Sequence, residues 1–436
     1  MAGTGRKGER VPLPRALAPL RSPAYRRLAA SLALSLVANG AWAVTVVWQV
    51  VALGGGPAEL SLVSGLSAAG TLAAALPGGV LADRVPQRHL LLAVTLLSAV
   101  PVAAVGGLSL AGVLPLPVLA VVGLLGGVAL GLHYPAYSAL VPALLPPEQV
   151  LAANGLEGAL RPALYQVAGP AAAGLLVAAL SPGAAFLATA AASLGATLCV
   201  LGLPLLPVHR GVAAGHPAGA LLADCREGLA FLRRTRWLLA TLLFASLVLL
   251  LTTGPLQVLA PFALRDRAGG GPVQHALVLA AFGVGGALGS LAVASRPLPR
   301  RYLTATTALW ALGCLPLAVF GTAERVWPMV AAGLVAGAGI HGGLVVWGTL
   351  LQRRVPAALL GRVASLDFVV SGALVPVSVA LAGPLSERVG LPATFLVAGL
   401  APPALAVLVL LGARLPADER AHPLDPRAAT PETAGH

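Results

Sequence analysis

The residues of this chain that could do chemistry are the ionisable side chains set in apolar stretches, because a charge in hydrocarbon is costly and marks ion or substrate pathways. There are few. Glu157, Asp367, His133 and His341 fall within or beside long apolar segments, while Asp83 and Glu387 stand near segment ends. Glu157 precedes Arg161 by four residues, the spacing of an ion pair on one helix face. His341 lies in the central third of its segment, and an imidazole can change charge near neutral pH. No carboxylates are paired in mid-segment, and no His-Glu-x-x-His zinc pattern occurs. The chemistry on offer is proton binding and hydrogen bonding. Glu157, Asp367 and His341 are the candidate proton-coupling residues, and the chain is not expected to be an enzyme. Cys199, Cys225 and Cys314 lie far apart, so neither a metal site nor a disulfide framework is expected, and no cofactor.

Two patterns mislead. Gly337-Ala338-Gly339-Ile340-His341-Gly342 has dinucleotide-fingerprint spacing, but it sits in an apolar run and reads as a helix packing face. No Gly-rich loop ends in Lys-Ser or Lys-Thr, so the chain supplies no ATP-hydrolysing motor.

Uncharged polar residues recur at helical spacing. Asn39, Trp42, Val46 and Gln49 fall on one face, Thr252, Thr253 and Gln257 form a second set, and His133, Tyr134 and Tyr137 a third. Asn39, Trp42, Gln49, Tyr134, Tyr137, Thr253, Gln257 and His341 are the candidate lining of a substrate cavity. Amides, hydroxyls and aromatics in an apolar wall suit amphipathic or uncharged organic molecules. The alternative for each is a hydrogen bond between helices.

These residues must be held by membrane helices. Of 436 residues 58% are hydrophobic and 10% charged, with mean hydropathy +0.89, whereas soluble domains carry roughly 25% charged residues. Runs long enough to cross about 30 Å of hydrocarbon number twelve, near 28–52, 60–82, 88–110, 116–140, 158–180, 183–207, 237–260, 273–295, 301–321, 327–350, 363–386 and 391–413. The expected fold is all-α, with twelve transmembrane helices as two pseudo-symmetric six-helix bundles. Residues 28–207 form the first bundle and 237–413 the second. Between them, 208–236 is a cytoplasmic linker whose stretch 221–234 can form an amphipathic helix lying on the membrane. Tails 1–27 and 414–436 are expected to be cytoplasmic and disordered against the lipid surface. With both termini inside, only Arg265, Arg267, Arg325 and Arg388 of 28 basic residues face outward, leaving 28 − 4 = 24 inside. The net charge of +13 is dealt out between apolar spans, so it reads as a topology signal and excludes a nucleic-acid partner. No cleaved signal peptide is evident, and the first helix is expected to direct insertion.

A charged hinge links the second and third spans, Gly78-Gly79-Val80-Leu81-Ala82-Asp83-Arg84-Val85-Pro86-Gln87-Arg88-His89, and 212 residues later Ser295-Arg296-Pro297-Leu298-Pro299-Arg300-Arg301 keeps its basic positions in register. Two such hinges mark internal duplication, a transporter trait. The first hinge resembles the signature of the major facilitator superfamily: Gly79, then Asp83-Arg84, then the basic Arg88. Pro135-Ala136, Ala139-Leu140-Val141-Pro142, Ala153-Asn154, Gly169-Pro170 with Gly174, Leu351-Gln352, Val355-Pro356 and Gly361-Arg362-Val363 resemble the branch of enterobactin, macrolide and drug exporters.

The resemblance implies two bundles rocking about a central cavity, in a multi-pass protein of the bacterial cytoplasmic membrane. It also implies a cytoplasmic latch of Gly79, Asp83, Arg84 and Arg88 against Gly361, Arg362 and Asp367. Gly169, Pro170 and Gly174 would form a pivot in the fifth helix. The arginine that many drug antiporters carry in helix 4 is absent from Val121–Gly127. The expected function is secondary-active, proton-coupled export of small amphipathic or uncharged organic molecules (drug, antibiotic or siderophore-like) by a monomer; the alternative is an importer or facilitator of a neutral metabolite.

Overall fold

A computed structural model describes residues 15–205 and 229–424, except for the side chains of some positions between 76 and 83 and between 357 and 368. Every regular element among them is helical, and twelve helices are long and apolar enough to cross a membrane. They are α1 Pro23–Ala52, α2 Pro57–Arg84, α3 Gln87–Leu110, α4 Leu116–Leu144, α5 Pro147–Ala179, α6 Pro182–Leu201, α7 Arg236–Ala268, α8 Pro272–Ala294, α9 Tyr302–Thr322, α10 Val326–Arg354, α11 Ala357–Val389 and α12 Leu391–Gly412. A short α13, Leu415–Ala421, follows.

The expected spans are all present, but several helices outrun their apolar runs, three of them most. α5 begins at Pro147 rather than near 158, α7 continues to Ala268 rather than 260, and α11 starts at Ala357 rather than 363. Their boundaries follow backbone signals instead of hydrophobicity. Pro147 sits in the first turn of α5, where a missing N–H costs nothing. Gly269, at φ 63°, ends α7 in the left-handed conformation. Of the expected linker helix, residues up to 228 lie outside the described residues, and 229–234 are helical.

Helix pairing repeats between the halves. α2 packs on α4, α3 on α4 and α6, and α1 on α5 and α6; correspondingly α8 packs on α10, α9 on α10 and α12, and α7 on α11 and α12. Across the halves α2 meets α11 and α5 meets α8, a pair exchanged by the same operation. The architecture is two pseudo-symmetric six-helix bundles.

In hydrocarbon, apolar side chains gain little by meeting one another, so helices associate through small residues that let backbones approach. Gly123, Gly127 and Gly131 of α4 face the carbonyls of Val63, Ser67 and Thr71 on α2. Gly285 and Gly289 of α8 face the carbonyls of Leu334 and Ala338, and Gly337 of α10 faces that of Phe282. The Gly337 run is thus a packing face, as its sequence context indicates.

The two halves are closest at the end far from the termini. A methyl at Gly383 of α11 would overlap the Pro57 carbonyl of α2, and the Gly383 amide donates to Ser61 Oγ at 2.7 Å. Further along, a Cβ at Gly65 would lie 3.2 Å from Ala380 Cβ, and one at Gly372 4.0 Å from Leu72. Along α2–α11 the spacing therefore loosens from Gly383 to Gly372, while on the α5–α8 pair a Cβ at Gly283 would lie 2.6 Å from Gln166 Cβ.

Parts of both tails are ordered, contrary to expectation. Residues Arg15–Arg21 form a 3₁₀ turn that packs on α5. Glu419 of α13 is 1% exposed and accepts from the amides of Leu303 (2.8 Å) and Thr304 (3.1 Å) and from the Thr304 hydroxyl (2.6 Å). First-turn amides of a helix have no intrahelical partner, and a carboxylate there also meets the positive end of the dipole. Asp418 pairs with Arg354, whose guanidinium lies 4.5 Å from the Trp237 ring centroid. Acidic residues of the tail thus match orphan donors under the second bundle.

Gly127→Ala places a methyl into the Ser67 carbonyl and is expected to abolish monodisperse protein on size exclusion. Gly126→Ala, where a Cβ meets nothing within 4 Å, should fold normally. Equal behaviour of the two variants would refute the close-approach account of the α2–α4 seam.

Candidate substrate cavity

Between the bundles lies a cavity of about 350 Å³. α1 contributes Asn39, Trp42 and Val46, and α2 contributes Ser64, Ser67 and Thr71 at spacings of three and four. Ser98 of α3, Gly126 of α4, Tyr165 of α5, Thr189 and Ser193 of α6, Gln257 of α7, and Gly372, Val375 and Pro376 of α11 complete the polar and close-packed parts of the wall. Among the described residues, no formally charged side chain lines it.

Three of its hydroxyls donate to their own helix, as does one amide. Thr71 donates to Ser67 O (3.0 Å), Ser98 to Val94 O (3.0 Å) and Thr189 to Ala185 O (2.8 Å), while Asn39 Nδ2 donates to Ser35 O (2.8 Å). Donating back to the same helix removes the cost of an unpaired hydrogen in low dielectric and leaves oxygen lone pairs for a ligand. Trp42 lies 5.5 Å from Phe186, centroid to centroid, giving the wall an aromatic side.

Two wall residues sit in π-helical turns. Arg161–Ala168 carries Tyr165, and Pro255–Leu259 carries Gln257. Pro170 has no N–H for the Gln166 carbonyl, and Pro255 none for that of Leu251, so the ladder widens near each. A π turn re-aims side chains relative to α-helical register, and such turns concentrate at functional sites.

Three of the expected lining residues are in this wall: Asn39, Trp42 and Gln257. Gln49 shares their face but lies farther along α1, buried, and accepts from Ser109 Oγ at 2.6 Å. Tyr137 is 1% exposed and stacks on His133 inside the first bundle, and Tyr134 lies under the Arg161 guanidinium, 5.4 Å away. Thr253 is half-buried outside the wall. His341 Nδ1 is 3.1 Å from the Gly337 carbonyl, and its ring meets Phe282 edge-on, so it serves the α8–α10 seam instead of the cavity. Periodicity identifies the face of a helix but not the depth at which that face opens.

Glu157 and Arg161 form the expected ion pair, with Arg161 NH2 and Nε at 2.7 and 3.0 Å. Asp367, half-buried on α11, accepts from Trp347 Nε1 at 3.2 Å within its own bundle. For the latch, the side chains of Gly79, Asp83, Gly361 and Arg362 lie outside the described residues. Arg84 is exposed at the end of α2, and Arg88 donates to the Leu201 carbonyl at 2.7 Å, capping α6. Of the pivot residues, Gly169 packs on Val37 and Gly40 of α1 beside Pro170, and a Cβ at Gly174 would come within 2.8 Å of the Pro272 carbonyl of α8. Gly174 therefore belongs to the seam between the halves. Ser64, Ser67, Thr71, Thr189, Ser193 and Tyr165 were not anticipated. The first five have legible helical spacing; Tyr165 depends on the π turn, which leaves no such mark. Among the described residues no His, Cys, Asp or Glu cluster could hold a metal ion.

A family model described as transmembrane secretion effector, a group of the major facilitator superfamily, matches residues 15–434. The chain belongs to this family. It is 30% identical over 396 residues to the multidrug efflux pump Tap of Mycolicibacterium fortuitum, covering 86% of this chain and 92% of that protein. Macrolide efflux protein A of Streptococcus pyogenes is 24% identical, covering 85% and 91%. Among solved structures, the nucleoside transporter NupG superposes with TM-score 0.71 at 15% identity, covering 88% of this chain and 98% of that one. The protein is thus a multi-pass bacterial membrane transporter of the major facilitator fold, and nothing in its relatives points to catalysis.

Filling the transporter's cavity tests its role. Gly126→Phe projects a ring into open space and should leave expression and monodispersity unchanged while cutting transport by about tenfold, given how small a drug-sized cavity is. Full transport by the folded variant would exclude this cavity as the cargo site.

Proposed function

We propose that this transporter exports small uncharged or amphipathic organic molecules by alternating access, coupled to the inward flow of protons. The observation that supports this most is the wall composition: aromatic, aliphatic, amide and hydroxyl groups, with no formal charge. A strongly anionic cargo would call for a fixed cation in the wall. A volume of about 350 Å³ falls within the range of sites for drug-sized ligands. The relatives named for multidrug and macrolide efflux support export over import. The basic residues support cytoplasmic termini. In that orientation the α2–α11 spacing widens from Gly383 to Gly372 in the cytoplasmic direction, the side from which an exporter loads.

Asp367 is the preferred coupling residue. Its carboxylate is half-buried five residues before Gly372 of the wall, and its partners Trp347 and Ser371 are neutral donors. Glu157 is already committed to Arg161 and His341 to a backbone carbonyl. Adding a proton to Asp367 would change a charge at the cavity margin, where it can alter packing between α10 and α11. The Asp83 carboxylate, at the end of α2, would latch the halves by meeting the N-terminal end of α11, whose dipole favours an anion.

Overexpression in a sensitive host should lower intracellular dye retention and raise tolerance to several toxic compounds; a fall in nutrient uptake on deletion, with drug sensitivity unchanged, would reverse the direction. In liposomes, wild-type transport should follow an imposed pH gradient, and Asp367→Asn should lose that response while still binding cargo. Gradient-independent wild-type transport would end the proton-coupling proposal. Asp83→Asn should insert normally yet transport several-fold less; full activity in that variant would sink the latch.

A further inference from the structure

A second, much smaller cavity of about 10 Å³ adjoins the first and shares Asn39, Ser98, Leu130 and Ser193 with its wall. That is room for one water-sized group. The rest of its lining includes Ser35, Thr95 and His133, so a mostly apolar chamber gives onto a polar annex inside the first bundle. His133 Nε2 is buried and has no hydrogen-bond partner. An unsatisfied buried polar atom is costly, and it needs an explanation.

The ring is held ready. It stacks nearly parallel on Tyr137, 14° between planes and 6.4 Å between centroids. Tyr137 is 1% exposed and hydrogen-bonds Tyr25, whose hydroxyl donates to the Ala153 carbonyl at 3.4 Å. Several neighbours already donate to their own helix: Ser98 to Val94 O, Thr95 to Leu92 O, and one Asn39 amide hydrogen to Ser35 O. What Ser98 and Thr95 offer the annex is oxygen lone pairs. The charged groups nearby, Arg161 over Tyr134 and Glu157 bound to Arg161, are engaged with each other, and α1, α3 and α6 face the annex with neutral groups. With no partner in the bundle, Nε2 is left to accept a hydrogen bond from a ligand.

We infer that the annex is a subsite for one hydrogen-bond-donating group of the cargo, a hydroxyl or an amine, and that His133 is the residue that selects for it. This rests on the export reading for the cargo's class, and it adds what part of the cargo is recognised. It also explains the unpaired Nε2, which the cargo's donor would complete.

The test uses a fluorescent rhodamine methyl ester with two free amino groups and its tetramethyl counterpart, which share scaffold and charge but differ in N–H donors. Binding to the purified full-length protein is read by fluorescence polarisation, and export is read separately in vesicles. Wild type should prefer the amino dye. His133→Leu should weaken amino-dye binding about tenfold, the loss of one good hydrogen bond, and leave the tetramethyl dye unchanged. His133→Gln should recover part of the preference. Ser98→Ala, a milder change, should narrow the same ratio and serves if the leucine variant does not fold. Equal losses for both dyes would make His133 a packing residue and overturn the subsite, as would an unchanged ratio. Binding with the expected ratio but no export would leave the subsite standing and refute the export reading; absence of binding by either dye would refute both.

Discussion

Everything in this protein depends on how closely two helix backbones can approach where no water is present to drive them together. Inside each half the approach is extreme. At Gly127 and Gly131 on α4, and at Gly285, Gly289 and Gly337 on α8 and α10, any side chain would collide with a carbonyl of the facing helix. Such seams leave no slack between the paired helices. Between the halves the backbones come closest around Gly383 and Gly174, Gly283 meets the Gln166 side chain partway along α8, and on α11 the spacing is ordinary by Gly372.

The same constraint determines what the cavity can recognise. Helices packed through glycine leave their polar residues facing inward wherever the halves diverge, and those residues must satisfy themselves. Serine and threonine do so by donating to their own helix, as Thr71, Ser98 and Thr189 do. The result is a wall with acceptors in place, few committed partners and no charge. Shape, aromatic contact and an occasional hydrogen bond then decide what binds. The two π turns add to this by pointing Tyr165 and Gln257 inward from opposite halves.

Much of the fold was legible. Twelve apolar runs, the basic hinges and the echo between halves give the architecture, because hydrocarbon thickness and charge placement act on sequence directly. Less of the site was. Asn39 and Trp42 were readable as a face of α1, but Gln49 on the same face is sealed by Ser109, since depth along the helix depends on where the halves part. Tyr137 looked like lining and is core, because it shares the α4 face of Gly126 and Leu130 but lies about three turns beyond Gly126, inside the closed first bundle. The Gly123-Gly127-Gly131 ladder was present in plain spacing, yet only the partner carbonyls on α2 show its purpose. Acidic residues in the tail carried no periodic signal, and their pairing with Arg354 and the α9 amides is visible only in three dimensions.

The arginines that mark topology also have a second task. Arg27, at the start of α1, donates to the Gly202 carbonyl at the end of α6, and Arg236, at the start of α7, donates to the Gly412 carbonyl at the end of α12. These positions correspond between the halves, as do the helices they join. A helix C-terminus leaves carbonyls unpaired and carries partial negative charge, so a cation there satisfies both. Arg88 adds the same cap to Leu201 in the first half. In the second half the adjoining end is held differently, by Glu419 on the α9 amides, and the α8–α9 connection Ser295–Arg301 is longer than the two residues joining α2 to α3. Duplication therefore preserved the arginine that closes each bundle on itself and let the remaining contacts at that end diverge. An arginine serving as both topology signal and cap can be replaced only by a residue that meets both requirements, which is a stricter condition than positive charge alone.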